Sequence, residues 1–232
     1  MSLPALVLLP GMMCDGRIYA PQIEALKDIA DCQVGDIGGA DNMADIAAQV
    51  LAQAPKEFAL AGLSMGGIVA MEVVRQAPER VTRLALMDTN AKVDTDTVKA
   101  VRMPHIAAVQ AGQLEALLRQ VMVPRYFASA KAHTQWAELC VAMALKLGSD
   151  VFIRQSLALK NRADQQATLA SFDKLCLVLM GTEDELCPLD RHQAMVALLA
   201  QVSFVEIAHA GHIPTLEQPA ATTAALRQWM LK

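Results

Sequence analysis

The sequence predicts an α/β fold: a doubly wound, mostly parallel sheet of about six strands with a helical insertion. Two observations lead to this prediction. Short apolar runs alternate with segments of helical periodicity, and one long stretch interrupts the alternation without a strand-like run. Strands buried on both faces are continuously apolar, and crossover helices between them produce a parallel sheet. With 232 residues, 54% of them hydrophobic, the chain can bury such a core.

Six apolar runs are candidate strands. The first ends at Pro10 and Gly11, which terminate a strand, and the later runs leave room for crossover helices. Two of the six, at 32–35 and 203–207, have weaker patterns than the others. The full set is 5–9, 32–35, 58–63, 84–87, 175–180 and 203–207.

Helical periodicity fills the spaces between these runs. The helix over 43–51 follows a possible cap at Asp41 or Asn42. The other predicted helices outside the long stretch are 18–29, 66–77, 192–199 and 220–231.

The interruption lies between the fourth and fifth strands. Residues 92–172 contain only helical patterns, at 98–111, 114–122, 130–147 and 151–159. We therefore expect a core domain made of 1–91 and 173–232, with 92–172 inserted as a helical cap. Such a cap would lie over the carboxyl edge of the sheet, where open α/β folds bind ligands.

One short motif predicts a nucleophile. Gly62-Leu63-Ser64-Met65-Gly66 matches G-x-S-x-G directly after the third apolar run and before a helix. A sharp turn in this context lifts the serine oxygen above the sheet, and glycines avoid collisions with the backbone of the turn. Ser64 is therefore the candidate nucleophile.

With this motif the chain resembles the α/β-hydrolases over nearly its whole length. Gly181-Thr182-Glu183-Asp184 with Pro188 is similar to the acid loop of that family, and Gly211-His212 with Glu217 and Pro219 is similar to its histidine loop. The resemblance implies that Asp184 is the acid and His212 the base of a triad with Ser64. The order Ser, Asp, His is the order expected for this fold.

Other residues compete for two of these roles. Asp88, at the end of the fourth apolar run, is the alternative acid, because some hydrolases of this fold take the acid from that position. His209 lies close to His212 in sequence and is interpreted as a surface or strand-end histidine. The remaining histidines, His105, His133 and His192, fall in predicted helices without partner spacing.

The loop after the first strand departs from the family pattern. Pro10 stands where the family usually has a histidine before glycine. The resemblance implies an oxyanion hole made by the backbone N–H groups of Met12 and Met65, neither of which depends on the side chain at position 10. Arg162 and Asp164 resemble a family Arg-x-Asp element, which we interpret as structural.

These parts predict a serine hydrolase that cleaves a carboxylic ester, thioester or lactone of a small to medium acyl substrate through an acyl-serine intermediate. A lyase or an acyltransferase with the same triad, similar to enzymes of menaquinone biosynthesis, is the alternative. Hydroxynitrile lyases have Lys after the catalytic histidine, whereas this chain has Ile213. A non-enzymatic ligand receptor on the same fold is a third hypothesis.

The substrate pocket is predicted mainly from apolar residues near the loops and in the insertion. The candidates are Met13, Cys14, Tyr126, Phe127 and Trp136. The insertion carries 10 Lys and Arg against 6 Asp and Glu. Arg102, Arg119 or Arg125 could therefore attract an anionic substrate, or this charge could belong to a solvated helical face.

Composition and spacing set expectations for partners and location. No metal-ligand or nucleotide-binding motif is present, so we expect no cofactor and no metal. A net charge of −4 argues against nucleic acid and membrane partners. Five widely spaced cysteines and the lack of a targeting segment favour the cytoplasm. We expect a small-molecule substrate and a monomer or homodimer.

Overall fold

The computed structural model describes residues 3–128 and 134–232, and these contain the predicted six strands. The four stronger apolar runs and the two weaker ones each overlap an observed strand. The strand bounds are β1 Ala5–Leu9, β2 Asp31–Val34, β3 Phe58–Leu63, β4 Val81–Met87, β5 Cys176–Gly181 and β6 Val202–Ile207.

The strands form one sheet in the order β2-β1-β3-β4-β5-β6, and every pairing is parallel. The predicted fold class is therefore confirmed. Every residue of β3 and β5 is buried, whereas β2 at the edge is largely exposed. Burial on both faces explains the continuous apolar runs, and the edge position of β2 explains its weaker pattern.

The helices occupy both sides of the sheet, together with short 3-10 and π turns. Within the described residues the α-helices are α1 Ala20–Leu26, α2 Met43–Gln53, α3 Met65–Gln76, α4 Asp96–Gln110, α5 Leu114–Leu117, α6 Thr134–Leu147, α7 Ser149–Lys160, α8 Gln166–Ser171, α9 Leu189–Val196, α10 Pro214–Glu217 and α11 Pro219–Leu231.

Alternate residues of β1 belong to two separate hydrophobic cores. Leu6 and Leu8 of β1 pack on the face covered by α1 and α11, whereas Val7 and Leu9 pack on the face covered by α2, α3 and α9. This arrangement is the doubly wound packing predicted from the sequence. Of the two possible caps of α2, Asn42 is the one that acts, since its Oδ1 accepts a hydrogen bond from the Asp45 amide at 2.9 Å.

The stretch between β4 and β5 contains helices α4 to α8 and no strand among its described residues. We call residues 92–172 the helical segment. Its predicted helices at 98–111, 114–122 and 151–159 overlap α4, α5 with the following π turn, and α7. The predicted helix at 130–147 corresponds to α6 from residue 134. Its first four residues, 130–133, include His133 and lie outside the described residues.

Strand order creates a crevice at the carboxyl edge between β1 and β3. The chain moves from β1 outward to β2 and then returns to the other side of β1 for β3, so the connections that follow these two neighbours diverge. Leu9, the last residue of β1, is aligned with Gly62 near the end of β3. The loop after β1 and the turn after β3 therefore begin side by side.

Candidate active site

Ser64 occupies a strained turn between β3 and α3. Its backbone has φ 54° and ψ −116°, a conformation that non-glycine residues rarely adopt. A Cβ at Gly62 would lie 2.3 Å from the Gly66 carbonyl oxygen, and a Cβ at Gly66 would lie 2.1 Å from that of Leu9. Both glycines are therefore required by backbone crowding, which is the reason predicted from the motif.

A hydrogen-bonded chain links the three predicted triad residues. Nε2 of His212 lies 2.8 Å from Oγ of Ser64, and Nδ1 of His212 lies 2.9 Å from Oδ2 of Asp184. These distances fit an imidazole that receives the serine proton at Nε2 and donates its Nδ1–H to the carboxylate. The structure thus brings together three side chains that come from positions far apart in the sequence.

Asp184 is held as a carboxylate. Its side chain is fully buried, and burial alone would raise its pKa. The charge and hydrogen bond of His212, with two backbone amides, outweigh that effect and lower the pKa of Asp184 to about 2. The amides belong to Leu186 and Cys187, which donate to Oδ1 at 2.8 and 3.0 Å.

Asp88, the alternative acid, lies near Asp184 and bonds to the backbone, whereas the imidazole of His212 bonds to Asp184. Its Oδ1 accepts a hydrogen bond from the Gly181 amide at 2.9 Å, and the side chain is fully buried. Burial, and then the nearby Asp184 carboxylate, raise the pKa of Asp88 well above its usual range. The raised pKa favours a protonated, neutral Asp88 side chain. The carboxylate that contacts His212 is that of Asp184.

His212 is fixed through its backbone as well as its ring. Its amide donates to the Tyr126 carbonyl oxygen at 2.9 Å. The neighbouring Gly211 amide donates to Oε1 of Glu217 at 2.7 Å, while Oε2 of Glu217 accepts from the Ala128 amide at 2.9 Å. Glu217 therefore joins the histidine loop to the helical segment, a role that the family motif did not indicate.

The predicted oxyanion donors lie in the loop after β1 and at the start of α3. Met12 follows the end of β1, and Met65 is the first residue of α3, where backbone amides have no intrahelical acceptor. Both residues line the cavity that contains Ser64. Where the family has a histidine and this chain has Pro10, the neighbouring Leu9 carbonyl oxygen accepts a 2.8 Å hydrogen bond from the Tyr19 hydroxyl.

Gln155 supports the same loop from α7. Its Oε1 accepts a 2.9 Å hydrogen bond from the amide of Met13, a residue with φ 57°. Gln155 is almost completely buried, and its Nε2 is 3.4 Å from the Ile37 carbonyl oxygen. Sequence reasoning missed this residue, although a lone glutamine on the apolar face of a predicted helix is a signal for a buried polar contact.

One cavity of about 340 Å³ opens above Ser64 and His212. Its volume lies at the lower end of the range for small-molecule sites. Most of its walls come from the loop after β1, α3, the helical segment and the acid loop. The lining includes Gly11, Met12, Cys14, Met65, Ile68, Asn90, Val98, Tyr126, Phe152, Ser156, Leu186 and Ile213.

The predicted pocket residues divide into two groups. Cys14 and Tyr126 line the cavity. Met13, Phe127 and Trp136 do not line it, and their part in substrate binding stays a prediction. Met13 is only 2% exposed within the core, and the two aromatic side chains pack against that core from half-buried positions.

The structure also shows which of the other candidate histidines and arginines line the cavity. His209 is 88% exposed at its side chain, which agrees with its interpretation as a surface residue. His105 lines the cavity, whereas His192 is buried beside the Pro188 carbonyl oxygen. Arg102 and Arg125 line the cavity, but Arg119 does not and instead pairs with Glu115 and Glu138.

A possible metal group overlaps the hydrogen-bonded chain. Ligand atoms of Asp184, Cys187 and His212 lie within 4.8 Å of one another. The imidazole and the carboxylate are already joined at 2.9 Å, and burial raises the pKa of the Cys187 thiol well above its usual range. A buried neutral thiol is a poor metal ligand. These residues therefore fit a hydrogen-bonded pair better than a metal centre.

Comparison with known proteins identifies the family. The profile of the Alpha/beta hydrolase family matches residues 6–226. The chain belongs to this family.

Every helix within the described residues is too short or too polar to cross a membrane.

Individual relatives agree with this assignment. The biotin biosynthesis bifunctional protein BioHC of Cellvibrio japonicus is 24% identical over 99% of this chain, which spans 48% of that protein. The chain therefore covers about half the length of the first curated relatives it matches. A pimeloyl-[acyl-carrier protein] methyl ester esterase of Xanthomonas axonopodis is 25% identical over 98% of this chain and 95% of its own.

A solved structure extends the similarity to the fold. A thermophilic esterase from Thermogutta terrifontis, solved with malate bound, has a TM-score of 0.89 and 28% identity over 98% of this chain and 89% of its own. The enzyme class predicted from the sequence, an α/β hydrolase acting on ester bonds, is the class to which these relatives belong.

Proposed function

We propose that the protein is a serine hydrolase that cleaves a carboxylic ester, thioester or lactone through an acyl intermediate on Ser64. The observation that carries the proposal is the chain of two hydrogen bonds that joins Ser64, His212 and Asp184. Serine is a weak nucleophile unless a neighbouring base accepts its proton, and this chain supplies that base with a carboxylate behind it.

Acylation follows from this geometry. Oγ of Ser64 attacks the carbonyl carbon while its proton moves to Nε2 of His212, and Asp184 stabilises the imidazolium that forms. The amides of Met12 and Met65 donate hydrogen bonds to the developing oxyanion; one such donor contributes about 3–4 kcal/mol in comparable sites. Collapse breaks the bond to the leaving group, which takes the proton from His212.

Deacylation repeats these reaction steps with water in place of the serine hydroxyl. A water molecule gives a proton to Nε2 of His212 and attacks the acyl carbon. The acid leaves, and Ser64 regains its proton from the imidazolium. No external cofactor is needed to balance these steps.

Cavity size and coverage support a small to medium acyl substrate. The helical segment lines the cavity of about 340 Å³ with both apolar and polar side chains, and its apolar ones suit an acyl group. We propose that residues 92–172 act as a cap over the site, because Tyr126 and Phe152 of this segment line the cavity with Ser64. The relatives named as methyl ester esterases make small alkyl esters the first compounds to test.

The test is covalent labelling followed by product analysis. A fluorophosphonate should add to the wild-type protein at Ser64, as measured by intact mass and peptide mapping. The Ser64→Ala variant should not react, whereas Ser156→Ala, which removes another serine of the same cavity, should react normally. Labelling at another residue, or equal labelling of Ser64→Ala, would contradict the proposal.

Product analysis separates hydrolysis from the alternatives. With methyl hexanoate and water, the hydrolase releases methanol and hexanoate in equal amounts. An acyltransferase would require an added acceptor, and a lyase would leave simple esters intact while still depending on the same residues. Turnover only with an acceptor, or none with any ester, would overturn the hydrolase assignment.

A further inference from the structure

The charge of the cavity wall differs in sign from that of the chain. Four arginines line the cavity, whereas Asp94 is the single carboxylate among the described lining residues. The whole chain carries a net charge of −4. The arginines are Arg102, Arg125, Arg162 and Arg191. A concave wall of one sign focuses its field into the cavity and attracts ligands of the opposite sign.

Two of these arginines share one carboxylate. Nε of Arg102 lies 2.6 Å from Oδ2 of Asp94, and Nη1 of Arg162 lies 2.5 Å from its Oδ1. The exposed fractions of the three side chains are 16%, 6% and 4% for Arg102, Arg162 and Asp94. One negative charge cannot neutralise two guanidinium groups, so this cluster retains an excess positive charge in a largely buried position.

Arg102 has terminal N–H donors that no described residue accepts. Its Nε is the atom paired with Asp94, and its terminal amino groups donate no hydrogen bond to any described residue. Arg162, in contrast, also donates from Nε to the Lys92 carbonyl oxygen at 2.9 Å. Burial, together with the neighbouring Arg102 and Arg191, lowers the pKa of Arg162 against the opposing effect of Asp94. An incoming anion would relieve this repulsion.

Apolar side chains line the same cavity as the charged cluster. Val93, Val98, Val101 and Val121 line the same cavity, although each is about 40% exposed or more. Exposed apolar side chains in a concave site are typical of ligand-binding surfaces. A ligand with an apolar chain and an anionic end would contact both parts.

We propose that this cavity binds ester substrates that carry an anionic oxygen group, a carboxylate or a phosphonate or phosphate, at the end remote from the scissile bond, with Arg102 as the main recognition residue. This inference rests on the proposed ester hydrolysis at Ser64 and names its substrate class. Guanidinium groups bind either kind of anion through paired N–H donors.

The experiment compares three methyl esters of matched length. Methyl hexanoate is neutral, methyl hydrogen adipate ends in a carboxylate, and methyl 5-phosphonopentanoate ends in a phosphonate. At low ionic strength we expect the better of the two anionic esters to have a kcat/KM about tenfold or more above that of methyl hexanoate. Which anionic ester is preferred identifies the group that the site accepts.

Variants assign the preference to Arg102. Arg102→Met should reduce the anionic-to-neutral ratio of kcat/KM about tenfold, because it leaves Asp94 paired with Arg162 while removing the free donors. The control Arg119→Met removes an arginine of the helical segment that lies outside the cavity and should leave the ratio unchanged. Arg102→Lys keeps the charge but loses the paired donors, so it should retain only part of the preference.

Several outcomes would overturn the inference. They are a wild-type preference for methyl hexanoate, equal ratios in Arg102→Met and Arg119→Met, or a loss in Arg102→Lys as large as in Arg102→Met. If Arg102→Met does not fold, Arg102→Gln removes the same charge with a polar side chain and must lower the ratio for the inference to stand.

Failure of the proposed hydrolysis is distinguishable from failure of this inference. If none of the three esters is cleaved, calorimetric titration with adipate and with 5-phosphonopentanoate still tests anion binding in the wild type and in Arg102→Met. Weaker binding of either anion to the variant supports the site. If each anion binds equally well to the wild type and to Arg102→Met, or if neither anion binds to the wild type, the site is refuted.

Discussion

The amide of Met13 donates a 2.9 Å hydrogen bond to Oε1 of Gln155, across 142 residues of sequence. This contact connects the loop after β1, which carries one proposed oxyanion donor, to α7 of the helical segment. The position of the Met12 amide therefore depends on a helix that contributes nothing to the proposed triad. Four predictions follow from this and related contacts.

Gln155→Ala should lower kcat about tenfold with a smaller effect on KM, because the Met13 amide loses its buried partner and the adjacent donor shifts. Steady-state kinetics with a neutral methyl ester measure the change. Gln120→Ala, at an exposed position of the same segment, is the matched control and should behave as the wild type. Equal kinetics for the two variants would contradict the role of Gln155.

Asp184 should contribute stability that depends on pH in the acid range. Its folded-state pKa of about 2 lies below the usual carboxyl value, so its contribution is complete above that usual value and is lost as the pH falls towards 2. The contribution at neutral pH is about 2 kcal/mol. Urea unfolding between pH 2 and pH 7 should show a flatter pH profile for Asp184→Asn, whereas exposed Asp173→Asn should follow the wild type.

Asp88→Asn should keep activity and gain relative stability at higher pH. The raised pKa of Asp88 means that ionisation opposes folding, so the wild-type protein loses stability as the pH rises above the usual carboxyl pKa. Asparagine cannot ionise, and its Oδ1 can still accept from the Gly181 amide. We expect kcat/KM to stay within about threefold, while Asp184→Asn loses about 10⁴-fold as in comparable triads.

A loss of activity in Asp88→Asn as large as in Asp184→Asn would show that Asp88 is the working acid. The stability comparison gives a second, independent result. If the difference in unfolding free energy between Asp88→Asn and the wild type stays constant from pH 4 to pH 8, Asp88 does not titrate as described.

Gly66→Ala should destabilise the protein by about 3 kcal/mol or more, since its Cβ would lie 2.1 Å from the Leu9 carbonyl oxygen and the backbone must move. Gly112→Ala is the control: it has φ 81° but no atom within 4 Å of the added carbon, so it should cost only about 1 kcal/mol. Thermal and denaturant unfolding measure both. Similar losses for the two variants would argue against crowding at the turn.

The fold was predictable because most of its strands are continuous apolar runs, which are easy to recognise in a sequence. β1, β3 and β5 are apolar along almost their whole length, since helices cover both faces of a parallel sheet. The turn at Ser64 was predictable for a related reason. Its glycines are dictated by local backbone crowding, which depends on residues close in sequence and on one neighbouring strand.

The cavity wall was less predictable because it depends on how the helices dock. Trp136 and Phe127 are large and apolar, yet they pack against the core, while Arg162, interpreted as structural, also lines the cavity. Which side of a helix faces a cavity is decided by contacts with distant elements. The pairing of Arg102 and Arg162 through Asp94 likewise required the three-dimensional structure.

Glu217 holds the amides of Gly211 and Ala128 with its two carboxylate oxygens. The loop that carries the base of the proposed triad and the helical segment are therefore joined through the same side chain. A displacement of the backbone at Ala128 away from the histidine loop would break the hydrogen bond to Oε2 of Glu217.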